Sequence, residues 1–171
     1  MSCKFILSFH IDNSNVLNTQ FIPTSNINMP YYMVIKVKGA EDPLSNFYPT
    51  LLQFDGDTFK STKHIYQSRK AIFHELYDLD DEIRNAPTAK EAKTIANQIK
   101  VNKTWEELRP VMMAEILKIK YIQCADFREK LTNSKGYLAQ NVKCSFWGTG
   151  PDGKGQNVFG LLLAALRIGV Q

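Results

Sequence analysis

The sequence predicts a single domain with a few short strands and a mostly helical central section. Its 171 residues suffice to bury a core without disulfides or metals, and 44% hydrophobic with 22% charged residues is typical of globular proteins. Alternating apolar residues at 33–38 indicate a strand, and Asp55-Gly56 between two apolar runs indicates a two-residue hairpin. Capping signals at Thr88 and Thr104 indicate that helices follow.

Residues 1–32 are rich in Asn, Ser and Thr, and we predict an appendage that is partly ordered at best, with short apolar pieces suited to an extra strand. The domain proper is predicted to span residues 33–171. Its first loop, residues 39–49, has turn-forming residues but also contains Phe47 and Tyr48, which must be covered by other parts of the chain.

A helix is predicted directly after the hairpin, with Ser61 or Thr62 as its N-cap. One face of this helix carries polar residues at a helical spacing: Lys63, Gln67, Lys70 and His74. Tyr66 and Phe73 lie on another face, which is fit for the core. A polar helix face is most often solvated surface, so this one becomes informative only together with other motifs.

Further helices are predicted for residues 78–86, from Thr88 to about 99, from Thr104 onward and for 126–132. Pro110 is expected to kink the helix that begins at Thr104, or to start a new one, because proline lacks the N–H that the helix needs. A strand is predicted at 137–142, and an apolar helix from about 158 to 168.

The segment between that strand and the last helix is rich in glycine, from Gly148 to Gly155. Glycines let a backbone approach a ligand closely, and a loop that enters a helix N-terminus is a generic anion site. Lys154 and Asn157 would add polar groups there. The segment follows neither the Walker A nor the Rossmann spacing.

Composition and charge exclude several classes of function. A net charge of +4 without a Lys/Arg run permits a phosphorylated ligand but does not indicate a nucleic-acid-binding protein. Three cysteines and three histidines are scattered, which argues against structural zinc and favours a reducing compartment. No apolar run approaches the ~18 residues that span a bilayer, so we expect a cytoplasmic protein without membrane contact.

Local motifs alone do not define a reaction. Trp105 and Trp147 lie next to polar loops, where each either covers the core or offers a stacking platform for a heteroaromatic base. No Gly-x-Ser-x-Gly is present, and the candidate acids all lie in loops or turns, where Asp and Glu are common in any case.

Several motifs in order are more specific: Leu44-Ser45-Asn46-Phe47-Tyr48-Pro49, then Phe59-x-Ser-Thr-x-His64-x-Tyr66-Gln67-x-x-Lys70-Ala71, then Trp105-x-x-x-Arg109-x-Val111-Met112, then Phe146-Trp147-Gly148-x-Gly150, and finally Gly155-x-Asn157-x-x-Gly160. On these motifs the chain resembles the NADAR family, named for its association with NAD and ADP-ribose, over about residues 33–168. The resemblance implies a compact α+β fold in which mainly helices pack around a small sheet. It also implies that no metal and no cofactor is needed.

Characterised members of the family are N-glycosidases that act on the first intermediates of riboflavin biosynthesis or on ADP-ribosylated guanine. The resemblance therefore implies a small phosphorylated ribosyl substrate as partner, with nucleic acid involved only as ADP-ribosylated guanine. The candidate catalytic residues are Lys70, Lys63 and Trp105. The candidate substrate-binding residues are Ser45, Asn46, Phe47, His64, Gln67, Arg109, Trp147, Gly148, Lys154, Gly155 and Asn157.

The sequence departs from the family at three positions where relatives usually carry an acid. Lys63 stands where relatives have Glu before the histidine, Gln140 where they often have Glu after Leu-Ala, and Cys144 near an expected Asp. Two hypotheses follow. In the first, the chain is an N-glycosidase in which Lys70 attacks the sugar and forms a Schiff base. In the second, the chain binds an ADP-ribose-like or nucleotide ligand without turnover, because general acid–base assistance is missing.

Overall fold

A computed structural model describes residues 5–11, 17–23, 34–37, 39–140 and 142–169. These described residues form six strands: β1 (Phe5–Ile11), β2 (Leu17–Pro23), β3 (Val34–Val37), β4 (Leu52–Phe54), β5 (Asp57–Phe59) and β6 (Tyr137–Gln140). They also form six α-helices: α1 (Thr62–Phe73), α2 (Tyr77–Asn85), α3 (Ala89–Ile95), α4 (Lys103–Gln123), α5 (Ala125–Asn133) and α6 (Val158–Gly169). A 3-10 turn (Ala96–Gln98) continues α3. The prediction of an α+β domain, mostly helical around small sheets, is confirmed.

The strands pair two by two. β1 and β2 form an antiparallel hairpin inside the predicted appendage, and residues 1–4, 12–16 and 24–33 lie outside the described part of the chain. β3 and β6 are parallel, with Val37 opposite Gln140, so the start of the predicted domain lies against the strand that precedes the glycine-rich segment. Residues 38 and 141, at the ends of those predicted strands, also lie outside the described residues.

The predicted Asp55-Gly56 hairpin is confirmed. β4 and β5 are antiparallel, and both turn residues have positive φ, 49° at Asp55 and 84° at Gly56. Two successive residues with positive φ define the turn type whose twist suits a two-residue hairpin. The hairpin leads directly into α1.

α1 is the central helix of the domain and contacts α2, α3 and α4. Ser61 caps it, as predicted, because its side-chain oxygen accepts from the His64 N–H. Ile65 and Ala71 are fully buried on its core side. Thr88 caps α3 by accepting from the Glu91 N–H, which confirms the predicted start of that helix.

α4 corrects one prediction and one alternative of a second. Asn102, and not Thr104, is its N-cap, since Asn102 Oδ1 accepts from the Trp105 N–H at 2.8 Å. Asparagine is as good an N-cap as threonine or better, so two candidate caps two residues apart could not be separated by type. Pro110 does not start a new helix, because α4 runs through it, while the other expected outcome, a kink at Pro110, stays a prediction. The carbonyl that loses its partner to proline belongs to the exposed residue Glu106, where water can replace the missing N–H.

Two apolar clusters hold the elements together. The larger one joins α4, α5 and α6 to the strands through fully buried side chains such as Leu117, Phe127 and Phe159. The smaller one, which includes Ile83 and Ala92, joins α1, α2 and α3. Burial at roughly 25 cal/mol per Å² makes such clusters the main source of stability. They leave one flank of α1 facing a cavity.

Candidate active site

A cavity of about 370 Å³ lies beside α1. Its walls come from the loop before the hairpin, from α1, from the α3–α4 region and from the segment after β6. The lining residues are Asn46, Phe47, Lys63, Tyr66, Gln67, Lys70, Lys93, Val101, Trp105, Arg109, Met113, Gln140, Val142, Lys143, Cys144 and Trp147. Eight of the predicted site residues are among them, including all three candidate catalytic residues.

The charges in this cavity are all positive. Among the described residues that line it, five are cationic, namely Lys63, Lys70, Lys93, Arg109 and Lys143, and none is Asp or Glu. Cations gathered around a concave space, with low-dielectric walls, concentrate an anionic ligand there. The cavity is therefore suited to a phosphorylated molecule.

Aromatic rings form part of the wall. The ring of Tyr66 lies 5.7 Å from Trp105 and 5.7 Å from Trp147, measured between centroids. Both tryptophans line the cavity, but Trp105 is only 2% exposed and belongs to the core, whereas Trp147 is half-buried. Trp147 is thus the better placed of the two tryptophans to stack on a flat heteroaromatic ring.

Lys70 lies in the cavity with an unusual electrostatic environment. Its Nζ donates to the Ala96 carbonyl at 2.6 Å, and burial lowers the pKa of its amine to about 8. About a quarter of such an amine is neutral at pH 7.5, compared with about a thousandth at an ordinary lysine pKa. A neutral amine is a nucleophile, so Lys70 has the property that the Schiff-base hypothesis requires.

Lys63 is the second amine of this kind. Burial, and after it the charges of Lys93 and Lys70, lower the pKa of its amine to about 8. Its Nζ lies 5.1 Å from the centre of the Phe47 ring and 5.6 Å from that of Tyr66. Lys63 and Lys70 share one face of α1 about 10 Å apart along its axis, at about 1.5 Å per residue.

Three polar atoms of the cavity residues are buried and have no hydrogen-bond partner among the described residues: Asn46 Oδ1, Gln67 Oε1 and Arg109 Nε. Buried polar groups are normally paired, and each exception calls for an explanation. Two of these atoms are acceptors and one is a donor on a cation. Unpaired groups of both kinds in residues around one cavity favour a ligand with hydroxyl or amine hydrogens and an anionic group.

Six predicted substrate-binding residues do not line this cavity: Ser45, His64, Gly148, Lys154, Gly155 and Asn157. His64 lines a second cavity of about 220 Å³, which shares only Phe47 with the first. Its ring nitrogens contact Ser61 Oγ at 2.8 Å and the Ala86 carbonyl at 3.2 Å, and burial lowers its pKa. His64 therefore fastens α1 to the end of α2.

Asn157 is fully buried and bonds the protein's own chain. Its Oδ1 accepts from the Gln140 N–H at 2.9 Å, and its Nδ2 donates to the Leu138 carbonyl at 2.8 Å and to Tyr137 Oη at 2.9 Å. Ser45 uses its Oγ to accept from the Phe47 N–H. Lys154 is exposed. Asn157 and Ser45 thus hold the protein's own backbone, and none of the three lines the cavity.

The glycine-rich segment approaches protein backbone, and not the cavity. A Cβ on Gly148 would lie 2.4 Å from the Gln140 carbonyl oxygen, and one on Gly155 would lie 2.3 Å from the Gly148 carbonyl oxygen. Both glycines are thus needed so that the segment folds tightly against β6 and itself. The sequence cannot distinguish this need from close approach to a ligand, because both call for a missing side chain.

Several residues of this region were missed by the sequence reasoning. Lys93 and Lys143 line the cavity, and the sequence did not predict which side of their segments would face it. Lys120 lies outside it but is fully buried, and burial lowers its pKa to about 7. A signal for Lys120 did exist, because it falls on the buried stripe of α4, three or four residues after Ile116 and Leu117.

The three positions that depart from the family pattern lie together. Lys63, Gln140 and Cys144 come from α1, β6 and the segment after it, yet all three line the same cavity. The acids that the family resemblance implies at these positions would therefore belong to one site. With Lys, Gln and Cys there, that site carries no carboxylate at any of the three positions.

Fold and site together define the class of this protein: a single-domain α+β protein built around a cation-lined cavity with aromatic walls. The NADAR domain family model matches residues 32–170, and the chain belongs to this family. Among the described residues, no group of three or more His, Cys, Asp or Glu side chains is arranged to hold a metal ion. None of the helices in the described part of the chain has the length and apolar character needed to cross a membrane.

Relatives with curated names support the same assignment. The chain is 32% identical to N-glycosidase YbiA of Shigella flexneri over 127 residues. The matched region covers 72% of this chain and 78% of that protein. It is 28% identical over 128 residues to the riboflavin biosynthesis protein VVA0006 of Vibrio vulnificus, covering 72% of this chain and 34% of that protein. The NMR structure of the Escherichia coli protein YbiA matches with a TM-score of 0.69 and 26% identity, over 83% of this chain and 87% of that one.

Proposed function

We propose that this protein is an N-glycosidase that hydrolyses the bond between a phosphorylated ribose and an exocyclic amine. Ribosylaminopyrimidine 5-phosphate, an intermediate of riboflavin biosynthesis, and ADP-ribosylated guanine both contain such a bond. The observation that supports this best is Lys70, an amine with a pKa of about 8, inside a cavity whose described lining carries four further cations. The names of the relatives, N-glycosidase and riboflavin biosynthesis protein, point to the same chemistry.

The parts of such a substrate match the groups in the cavity. Arg109, whose guanidinium lies 3.7 Å from the centre of the Phe146 ring, offers its fork of donors to the phosphate together with the lysines. The face of Trp147 suits the base. The free acceptor oxygens of Asn46 and Gln67 suit the ribose hydroxyls or the exocyclic N–H. A cavity of about 370 Å³ falls within the range of small-molecule sites.

The reaction divides into two steps. The sugar of an N-glycoside on an exocyclic amine opens to an imine, and the neutral Lys70 amine adds to its C1 carbon. The bond from C1 to the leaving amine then breaks, and that amine departs with a proton. The imine that remains between Lys70 and ribose 5-phosphate is hydrolysed by water, which restores the lysine.

This mechanism needs a proton carrier, and among the described lining residues no carboxylate is present to serve. Lys63 is the group placed to take this role, because a pKa of about 8 allows it to give and accept protons near neutral pH. It thus stands in for the acid that relatives carry at this position.

The test is to incubate the protein separately with ribosylaminopyrimidine 5-phosphate and with ADP-ribosylated guanosine and to analyse the products by mass spectrometry. We expect a free pyrimidine amine and ribose 5-phosphate, or free guanine nucleoside and ADP-ribose. Intact substrate in both reactions, with enzyme that binds it, contradicts the proposal.

The second-order rate constant of this reaction should rise with pH to a maximum near 8 and then fall. It rises because the fraction of neutral Lys70 grows until the pH exceeds its pKa of about 8, and it falls because Lys63, also with a pKa of about 8, loses the proton that the leaving amine takes. The measurement is kcat/KM between pH 6 and 9.5, at constant ionic strength. A rate that falls from pH 6 upward would show that a neutral lysine is not needed, and a plateau above pH 8 would show that Lys63 is not the proton carrier.

A second candidate function is binding without turnover. It is favoured by one observation, the gathering of Lys63, Gln140 and Cys144 in one cavity at positions where relatives carry acids. Without a carboxylate, acid–base assistance worth roughly 10² to 10⁴ in rate would be lost. Such a protein would still bind a phosphorylated ribosyl ligand.

The substitution Lys63→Glu separates the two functions. If Lys63 is the working proton carrier, the change should lower kcat/KM by about tenfold or more, since the new carboxylate also favours the charged form of Lys70 on the same helix face. If the protein only binds, the restored acid should instead create turnover that the wild type lacks. Lys63→Gln is the control, because it removes the amine without adding a charge.

A further inference from the structure

The loop that carries Asn46 and Phe47 to the cavity wall is fastened from two sides. On one side, the Asn46 carbonyl accepts from the Lys63 N–H at 3.0 Å and from Thr62 Oγ1 at 3.2 Å, both in the first turn of α1. On the other side, the preceding carbonyl, that of Ser45, accepts from Lys120 Nζ at 2.7 Å. Two successive peptide groups of this loop are therefore held by two different helices.

Lys120 is an unusual residue for this place. It is 0% exposed, and its Nζ lies 4.8 Å from the centre of the Phe127 ring and 5.6 Å from that of Tyr48. An apolar side chain on this stripe of α4 would avoid the cost of burying an amine. The aromatic rings and the Ser45 carbonyl offset that cost, and they also restrict where the amine can lie.

Asn46 links the hydrogen bond between Lys120 and Ser45 to the cavity. It is 2% exposed, its Nδ2 contacts Met113 Sδ at 3.5 Å, and its Oδ1 is one of the unpaired acceptors of the cavity. Because the backbone on both sides of Asn46 is held by hydrogen bonds, the direction of its side chain depends on those bonds. A shift of the Ser45 peptide group would move Oδ1.

We propose that Lys120 is a positioning residue: by holding the Ser45 carbonyl it aims Asn46 into the cavity, and so sets ligand affinity without touching the ligand. The inference rests on the proposed function insofar as the cavity must bind a phosphorylated ribose. The hydrogen bonds that hold the loop do not depend on any ligand. The role of Lys120 in the loop and the proposed function can therefore be tested separately.

The first test is a double-mutant cycle with ribose 5-phosphate as the probe and calorimetry as the measurement. Lys120→Met should raise the Kd by about tenfold, the equivalent of the one hydrogen bond from the ligand that a displaced Asn46 would no longer accept. Lys118→Met, an exposed lysine on the same helix, should leave the Kd unchanged within about twofold, as is usual for surface substitutions. In an Asn46→Ala background, Lys120→Met should have less than about a twofold effect, because the group it acts through is gone.

The second test needs no ligand and follows amide hydrogen exchange in the loop. Lys120→Met should speed exchange of the Ser45 and Tyr48 amides by about tenfold, while the amides of the β4–β5 hairpin keep their rates. If Lys120→Met fails to fold, Lys120→Gln, which keeps an N–H donor without the charge, is measured in the same two ways and should show smaller shifts of the same sign.

Each outcome decides something. Equal losses of affinity with and without Asn46 would show that Lys120 does not act through Asn46, and unchanged exchange in the loop would show that it does not hold the loop. Either result overturns the inference. If the wild type does not bind ribose 5-phosphate, the proposed function is contradicted, while the exchange measurement still decides whether Lys120 holds the loop.

Discussion

Lys70→Met is expected to lower kcat for N-glycoside hydrolysis by a factor of about 10³ or more, as is usual when a covalent nucleophile is removed. Methionine keeps much of the volume and the apolar stem of lysine but has no amine to add to the sugar. Because four other cations of the described lining remain, the Kd for ribose 5-phosphate should change by less than about tenfold, the worth of one partly exposed charge.

The measurement is steady-state hydrolysis of ribosylaminopyrimidine 5-phosphate, with calorimetry for the Kd. Lys118→Met is the matched control, since it makes the same chemical change at an exposed position of α4. A Lys70→Met protein that turns over as fast as the wild type would exclude the Schiff-base mechanism, even if the protein is an N-glycosidase.

Asn157→Ala is expected to reduce the free energy of unfolding by about 4 kcal/mol, because two buried backbone groups lose their partners at roughly 1 to 3 kcal/mol each. Those groups are the Gln140 N–H and the Leu138 carbonyl on β6. The position adds a further cost, since Asn157 has a φ of 52°, which asparagine tolerates better than alanine.

Urea denaturation measures this effect, and two further variants identify its cause. Asn157→Gly removes the same side chain without the φ strain and should still lose most of the stability. Gln156→Ala changes the exposed neighbour and should lose little. An Asn157→Ala protein of normal stability that no longer binds ribose 5-phosphate would show instead that this side chain serves the ligand, as the family resemblance implied.

The features of the fold that could be predicted are those specified by a few adjacent residues. The hairpin follows from Asp55-Gly56 between apolar runs, and the start of α1 follows from Ser61. The start of α4 was misplaced because Asn102 and Thr104 are both good caps, and only the packing of Trp105 against the core selects between them.

For the site, too, adjacent residues predict some features but not the contacts between distant parts of the chain. The helical period placed Lys63, Gln67 and Lys70 on one face, and all three do line the cavity. Asn157 and the glycines near it were predicted to face a ligand, yet they contact β6 and their own segment. Lys120 was missed, since its partner is a backbone carbonyl 75 residues away in the chain. Residue types show that a contact is needed, but not which group makes it.

The amine of Lys70 is expected to form a covalent bond to C1 of the sugar during turnover. The most direct test is to add sodium borohydride during turnover of ribosylaminopyrimidine 5-phosphate and to locate the reduced adduct by peptide mass spectrometry. We expect one ribose 5-phosphate-derived adduct on the peptide that contains Lys70, and none in Lys70→Met. Turnover without an adduct, or an adduct on Lys63 in place of Lys70, would contradict the account.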